Sequence, residues 1–210
     1  WQTGSLDLFY LFRQKTKRRW HVKALEEKIL KEGTVKDGGI LKVDNFLNHQ
    51  IDAPFLMEMG SEIKRLYSDC GVTKILTIEA SGIAIAMAAA AQMGLPVLFA
   101  KKNRTKNISS DTYCTKVASF THGIDYDVVV SKSYLTPEDT VLIVDDFLAH
   151  GNALEGLADL AKQAGASVAG AAIAIEKGFQ GGGDRLRGEG MRIESLALID
   201  DMSDGKITFR

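Results

Sequence analysis

The sequence predicts an α/β fold, with one mostly parallel central sheet flanked by helices. Apolar runs of strand length recur along the 210 residues, and they lack the alternation of strands with one wet face. Segments with helical spacing of apolar residues lie between these runs, which is typical of β-α-β units. The length suits a single domain.

The first third of the chain predicts two helices separated by a turn: residues 23–31, the turn at Gly38-Gly39, and a helix between Asp52 and Gly71. Asp52 is a good N-cap, and Pro54 suits a first helical turn. Apolar residues recur at helical spacing in the second helix: Phe55, Leu56, Met59, Ile63 and Leu66.

The remainder alternates between strands and helices. Strands are predicted over 74–78, 96–100, 126–130, 140–144, 168–175, 192–199 and 206–209, and helices over 81–93 and 152–164. Residues 101–116 are polar and basic without periodicity, and GFQGGG (178–183) is rich in glycine, so both are predicted to be loops.

Composition and charge argue against some classes of function. Lys plus Arg total 26 against 27 for Asp plus Glu, so there is no basic excess for a nucleic-acid backbone, and no nucleic-acid partner is expected. No apolar run reaches the ~18 residues of a membrane span, so no membrane partner is expected. The two cysteines, Cys70 and Cys114, form no metal-binding motif, which favours reduced thiols and a cytoplasmic location.

The first 21 residues differ from the rest. An apolar run precedes a basic run, which is the reverse of a secretory signal. We expect residues 1–21 to be a non-native or upstream extension, and residues 22–210 to form one domain.

Three segments follow predicted strands: Asp145-Asp146 with Ala149–Ala153, Glu79–Gly82, and the basic stretch from Lys101. In α/β sheets ligands bind beyond the carboxyl ends of the strands. We therefore expect the three segments to form one site.

The loop Ala149–Ala153 lacks bulk where a strand gives way to a helix, so its amides can bind an anion. Neither a P-loop nor a dinucleotide fingerprint is present. Two acids beside an anion site suit a group that donates hydrogen bonds, such as ribose hydroxyls, and together they indicate a sugar phosphate. A tight turn without ligand, with Asp145 and Asp146 as solvated capping acids, is the alternative.

VLIVDDFLAHGNA (141–153) resembles the PRPP-binding motif of type I phosphoribosyltransferases. The segments LKVDNFLNHQID (41–52), KILTIEASGIAIA (74–86), PVLFAKK (96–102) and VAGAAIAIEKGFQ (168–180) resemble the bacterial xanthine phosphoribosyltransferases. That resemblance implies a sheet with a small hood formed by N- and C-terminal segments, a homodimer, and phosphoribosyl transfer from PRPP to N9 of xanthine, giving XMP and diphosphate in purine salvage.

The resemblance also implies residue roles. The 5′-phosphate would bind to the loop Ala149, His150, Gly151, Asn152 and Ala153. The ribose hydroxyls would bind to Asp145 and Asp146. The pyrophosphate would bind to Glu79, Ala80, Ser81 and Gly82, beneath a lid that begins at Lys101. Mg²⁺ would arrive with PRPP, without dedicated protein ligands.

For the base, the resemblance implies contacts from Leu41, Asn48 and Lys177. Lys177 would donate to the oxygen at C6, and Asn48 would read the oxygen at C2. Many relatives have Thr-Gly-Gly-Thr where this chain has His150-Gly151-Asn152-Ala153, so the amides of the loop are retained without the hydroxyls. The alternatives are a PRPP-sensing regulator of the same fold, an enzyme acting on guanine, hypoxanthine or adenine, and a binding module without catalysis.

Overall fold

A computed structural model describes residues 23–36, 39–102, 111–118 and 125–210. The helices are α1 (23–32), α2 (Ala53–Tyr67), α3 (Gly82–Met93), α4 (Asn152–Gln163) and α5 (Gly182–Gly188). A π-helix covers Asp44–Asn48, and 3-10 turns cover Lys132–Tyr134, Gly178–Gln180 and Ser203–Gly205. None of the helices in these ranges is both long and apolar enough to cross a membrane.

The strands are β1 (Thr34–Lys36), β2 (Ile40–Lys42), β3 (Lys74–Ile78), β4 (Val97–Lys102), β5 (Thr112–Ala118), β6 (Asp125–Ser131), β7 (Thr140–Leu148), β8 (Ser167–Lys177), β9 (Ile193–Asp201) and β10 (Thr208–Phe209). Eight of them form one sheet in the order β10-β9-β8-β7-β3-β4-β6-β5. The pairs from β9 through β8, β7 and β3 to β4 are parallel, which confirms the predicted fold class.

Helices cover both faces of this sheet. One core includes buried residues of α2 and α3, and the second includes buried residues of α4. The predicted start of α2 is confirmed, because the Asp52 side chain accepts a hydrogen bond from the Phe55 N–H at 3.2 Å. Gly94, at +71° in φ, ends α3.

The main correction concerns β7, which was predicted to end at Val144 and in fact continues to Leu148. Asp145 pairs with Ile173, and Phe147 pairs with Ile175, so the long neighbouring strand extends the ladder past the acids. The two acids therefore lie within the strand. A pair of charges ends an apolar pattern, but it does not end backbone pairing.

Two predicted loops also contain regular structure. Strand β5 lies in the stretch predicted as an irregular loop; it pairs antiparallel with β6 at the edge of the sheet, and most of its side chains are half-buried, so it shows no apolar period. Helix α5 begins inside GFQGGG, and its glycines pack against other segments. Residues 103–110 of the predicted lid, Gly38 of the predicted turn, and the expected extension 1–21 lie outside the described residues.

The hood combines both ends of the described chain. Strands β1 and β2 form an antiparallel hairpin that turns at Gly39, with φ +73°. Buried residues of α1, β2 and the π-helix share one core with buried residues of β9 and the turn after it: Leu25, Ile29, Leu41, Phe46, Leu47, Leu196, Ile199 and Met202. This packing places the hood over the carboxyl end of β8.

Candidate active site

The two acids lie side by side near the carboxyl end of β7. Asp145 is 6% exposed and Asp146 is half-buried. Asp145 Oδ1 accepts the backbone N–H of Asp146 at 3.0 Å. Burial raises the pKa of Asp145 well above its usual range, and the neighbouring Asp146 carboxylate adds to the rise. Burial raises the pKa of Asp146 as well. A ligand that donates hydrogen bonds or carries positive charge would stabilise the ionised pair.

The loop that follows leads into the N-terminus of α4. Gly151 has φ +96°, in the left-handed region that favours glycine, and a Cβ at this position would lie 2.8 Å from Leu186 Cδ1. No side chain caps α4. The first amides of a helix have no partner within it, so this turn presents N–H groups at the positive end of the helix dipole.

Contacts from α5 hold this loop from behind. The Gly182 N–H donates to the Ala149 carbonyl at 3.2 Å, and a Cβ on Gly182 would lie 2.3 Å from the same oxygen. Arg185 Nη2 donates to the His150 carbonyl at 3.2 Å, while its Nη1 is 2.8 Å from Glu155 Oε1. The carbonyls are bound on the α5 side, so the loop is formed before any ligand arrives.

The Asn152 side chain makes a contact outside the loop. Its Nδ2 donates to the Ala118 carbonyl of β5 at 3.1 Å. The side chain therefore ties the start of α4 to the edge of the sheet, which leaves the backbone N–H as the group of Asn152 that belongs to the loop.

The second loop, Glu79–Gly82, follows β3, and its Glu79–Ala80 peptide is cis. Glu79 Oε1 accepts the Lys102 N–H at 2.6 Å, which fixes the loop to the end of β4. A Cβ on Gly82 would lie 2.8 Å from Asp145 Oδ1. The loop thus runs directly against the acids, as the position of both segments beyond parallel strands predicts.

The two lysines at the end of β4 differ in their surroundings. Lys101 lines an open cleft of about 670 Å³ together with Phe99, Val129 and Ser131. Lys102 instead lies close enough to lower the pKa of both acids, and its Nζ is 5.3 Å from the centre of the Tyr126 ring. Adjacent residues of a strand point to opposite faces, so only one of the two can face the acids. Within one chain the structure brings Lys102 to the acids rather than Lys101.

The expected base contacts lie at the hood. Lys177 ends β8, and its Nζ donates to the Gly39 carbonyl at 3.0 Å and lies 5.5 Å from the centre of the Phe147 ring. Burial lowers the pKa of Lys177. Leu41 belongs to the same hairpin as Gly39 and is buried in the hood core. Asn48 ends the π-helix that follows, and its buried Oδ1 has no hydrogen-bond partner within the described part of the chain.

Sequence reasoning placed Lys101 and Lys102 together among the charges of the predicted lid and missed Arg185. Strand alternation allows only one of the two lysines to face the acids, but which of them does so depends on how β4 pairs in the sheet. No local signal marked Arg185, which lies in a stretch without apolar periodicity and reaches His150 only through the tertiary fold.

Fold and site together define a doubly wound α/β protein whose paired acids and amide loop lie at the carboxyl edge of its sheet. The phosphoribosyl transferase domain family matches residues 42–186. The chain is 54% identical to a xanthine phosphoribosyltransferase of Lachnoclostridium phytofermentans, over 89% of this chain and 97% of that protein. It is 52% identical to a xanthine phosphoribosyltransferase of Clostridioides difficile, over 90% and 100% of the two chains.

The fold has a solved counterpart. An adenine phosphoribosyltransferase of Thermoanaerobacter pseudethanolicus superposes with a TM-score of 0.67 at 21% identity, over 83% of this chain and 98% of the other. At 21% identity this similarity shows the fold alone, whereas the two more similar relatives show the family. The chain belongs to the phosphoribosyl transferase domain family and, within it, to the xanthine phosphoribosyltransferases.

Proposed function

We propose that the chain transfers the 5-phosphoribosyl group of PRPP to N9 of xanthine, giving XMP and diphosphate in purine salvage. One observation carries the proposal: the acids lie near the carboxyl end of β7, the amide loop follows that strand directly, and Lys177 lies at the end of the neighbouring strand β8. Strands β7 and β8 are parallel, with Leu148 paired to Glu176, so the two halves of the site are adjacent. The names of the relatives support xanthine as the base.

The chemistry follows from where charge develops. As diphosphate departs, C1′ of the ribose acquires positive charge, and that charge exists only in the transition state. Carboxylates of Asp145 and Asp146 beneath the ring would bind the ribose hydroxyls and stabilise this charge more strongly than they stabilise the ground state. The burial of Asp145 strengthens the effect, since water screens a buried charge less.

The two loops would bind the two anionic ends of PRPP. The amides of Ala149–Ala153 suit the 5′-phosphate, because the helix dipole and the N–H groups at the start of a helix favour an anion. The backbone N–H groups of Glu79–Gly82 would suit the pyrophosphate. The negative Glu79 carboxylate is bound to the Lys102 N–H, which reduces its repulsion of the anion. Lys102 adds positive charge between the acids and the leaving group.

Mg²⁺ fits this arrangement as an ion carried by the substrate. Within the described ranges no three His, Cys, Asp or Glu side chains cluster as a metal site, so PRPP oxygens and water would supply most of the ligands, next to the Glu79–Gly82 loop. When bound, the ion would neutralise charge on the departing diphosphate.

Base choice would rest on Lys177 and Asn48. A buried ammonium can donate to the C6 oxygen of xanthine, whereas the amino group of adenine would leave it unpaired. Within the described residues the Oδ1 of Asn48 has no partner, so it can accept an N–H of the base. The Nδ2 of the same amide would donate to the C2 oxygen, which distinguishes xanthine from hypoxanthine. Leu41 would pack against the purine from the hood.

Homodimerisation is part of the proposal. The cleft beside Lys101 borders exposed apolar side chains, Phe99 and Tyr134, which are 39% and 64% exposed. A second copy covering this face would bury them and would bring Lys101 into a shared site. A cytoplasmic location, expected from the cysteines, is proposed with it.

Product analysis over a panel of bases tests the proposal. We expect XMP from xanthine, PRPP and Mg²⁺, weaker turnover of guanine or hypoxanthine, and none of adenine. Preferred turnover of guanine or hypoxanthine would assign a different purine, and PRPP binding without turnover of any base would indicate a regulator of the same fold. A chain that neither binds PRPP nor transfers it would refute the proposal.

A further inference from the structure

Thr77 is a polar residue in an apolar strand. Its neighbours in β3 are Ile75, Leu76 and Ile78, and its side chain is 0% exposed. Within the described residues its Oγ1 has no hydrogen-bond partner. Burying an unpaired hydroxyl is unfavourable, and valine would fill the same volume without that cost. A threonine at this position is therefore explained best if its hydroxyl forms a hydrogen bond during function.

The hydroxyl points to the same place as Asp145. A Cβ built on Gly82 would lie 2.3 Å from Thr77 Oγ1 and 2.8 Å from Asp145 Oδ1. Both oxygens thus lie within 3 Å of one point against the backbone of the Glu79–Gly82 loop. A hydroxyl can donate, and an ionised carboxylate only accepts, so the two groups are complementary.

Four further charged or titratable groups lie around Asp145. The Asp146 carboxyl lies close enough to raise the pKa of Asp145, and Lys102 of β4 lies close enough to lower it. Asp145 in turn raises the pKa of Tyr126 of β6, and Glu79 of the adjacent loop accepts the Lys102 N–H. Neighbouring carboxylates disfavour each other's ionisation. Binding of ribose hydroxyls calls for both acids ionised, so a further donor to Asp145 would favour the bound state.

We infer that Thr77 is a positioning residue whose hydroxyl donates to Asp145 when a sugar phosphate is bound against the two acids. The inference rests on the proposed function, since it needs a ribose that engages Asp146. The hydroxyl then holds Asp145 ionised and turned towards the ring. Position 82 is glycine because the two oxygens occupy the space of its Cβ, and this contact ties the pyrophosphate loop to the ribose acids.

The test compares Thr77→Val, which removes the hydroxyl at equal volume, with Thr77→Ser, which retains it. In Thr77→Val we expect kcat with xanthine and PRPP to fall about 10-fold and KM for PRPP to change less than about 3-fold. Loss of a donor raises the pKa of Asp145 in the complex, so the acidic limb of the kcat profile should move up by as much as about one pH unit. Thr77→Ser should stay close to the wild type in both.

Two results would overturn the inference: a wild-type kcat and acidic limb in Thr77→Val, or an equal loss in Thr77→Ser, which would indicate packing alone. If the wild type forms no XMP, the proposed function fails first. The variants are then compared by calorimetric titration with Mg²⁺ and PRPP, where Thr77→Val should lose about 3-fold more affinity than the wild type between pH 8 and pH 6. Equal pH dependence, or a wild type that binds no PRPP, also overturns the inference.

Discussion

The carboxyl end of β7 and the hood are built differently, although they border the same site. The β7 end is one continuous stretch from the acids to α4, and its backbone is bound from behind by Gly182 and Arg185. The hood side brings together segments far apart in sequence, around Leu41, Asn48 and Lys177. Polar groups there have few hydrogen-bond partners within the described ranges. Asn48 Oδ1 has none, and Lys177 donates to a backbone carbonyl.

This difference separates two functions. The loop after β7 is held by contacts within the chain, and if it binds the phosphoribosyl group as proposed, this preorganisation would reduce the cost of binding. The polar groups at the hood would be completed by one particular base, so a wrong base leaves them buried and unpaired. The groups proposed to bind the phosphoribosyl part are thus close together in the sequence. The groups proposed to select the base come from segments far apart in the sequence.

The largest effect is expected at the β7 end. Asp146→Asn keeps the shape of the side chain but removes its negative charge, so we expect kcat to fall about 100-fold while PRPP affinity changes only a few-fold. Steady-state kinetics and calorimetry separate the two quantities. Asp159→Asn, an exposed acid of α4, is the matched control and should retain wild-type rates. A larger loss in PRPP affinity than in kcat would show that Asp146 acts in binding.

A smaller effect should follow from disturbing the loop from behind. Gly182→Ala places a Cβ 2.3 Å from the Ala149 carbonyl, so the loop must shift, and we expect KM for PRPP to rise about 10-fold with base preference unchanged. Gly188→Ala lies in the same helix with open space around it and is the control. Wild-type PRPP kinetics in Gly182→Ala would show that the loop is adaptable rather than preformed.

The smallest effect is expected at the hood. Lys177→Gln replaces a pure donor with an amide that both donates and accepts, so the preference for xanthine over adenine, as a ratio of kcat/KM values, should fall about 5-fold. PRPP binding should be unaffected, because the β7 end is separate. Lys206→Gln, at an exposed lysine, provides the control. Unchanged base preference in Lys177→Gln would remove this residue from the base pocket.

Local pattern was a good guide for the buried parallel strands and for the start of α2, since burial on both faces and helix capping each leave a signature in a few consecutive residues. It failed at β5 and α5. The first is an edge strand with half-buried side chains. The second begins on two glycines in close contact with other segments, Gly182 with Ala149 and His150 and Gly183 with Glu176. Both elements depend on partners that no short stretch of sequence contains.

By itself, the sequence determined the α/β class, the acids and the amide loop, because a strand, two charges and a glycine turn are consecutive and need no distant partner to be recognised. Only the tertiary structure decided that Lys102 rather than Lys101 faces the acids, that Arg185 supports the loop, and that Thr77 and Asp145 meet at Gly82. These contacts arise between neighbouring strands, turns and helices, and their geometry depends on how the sheet is paired and packed.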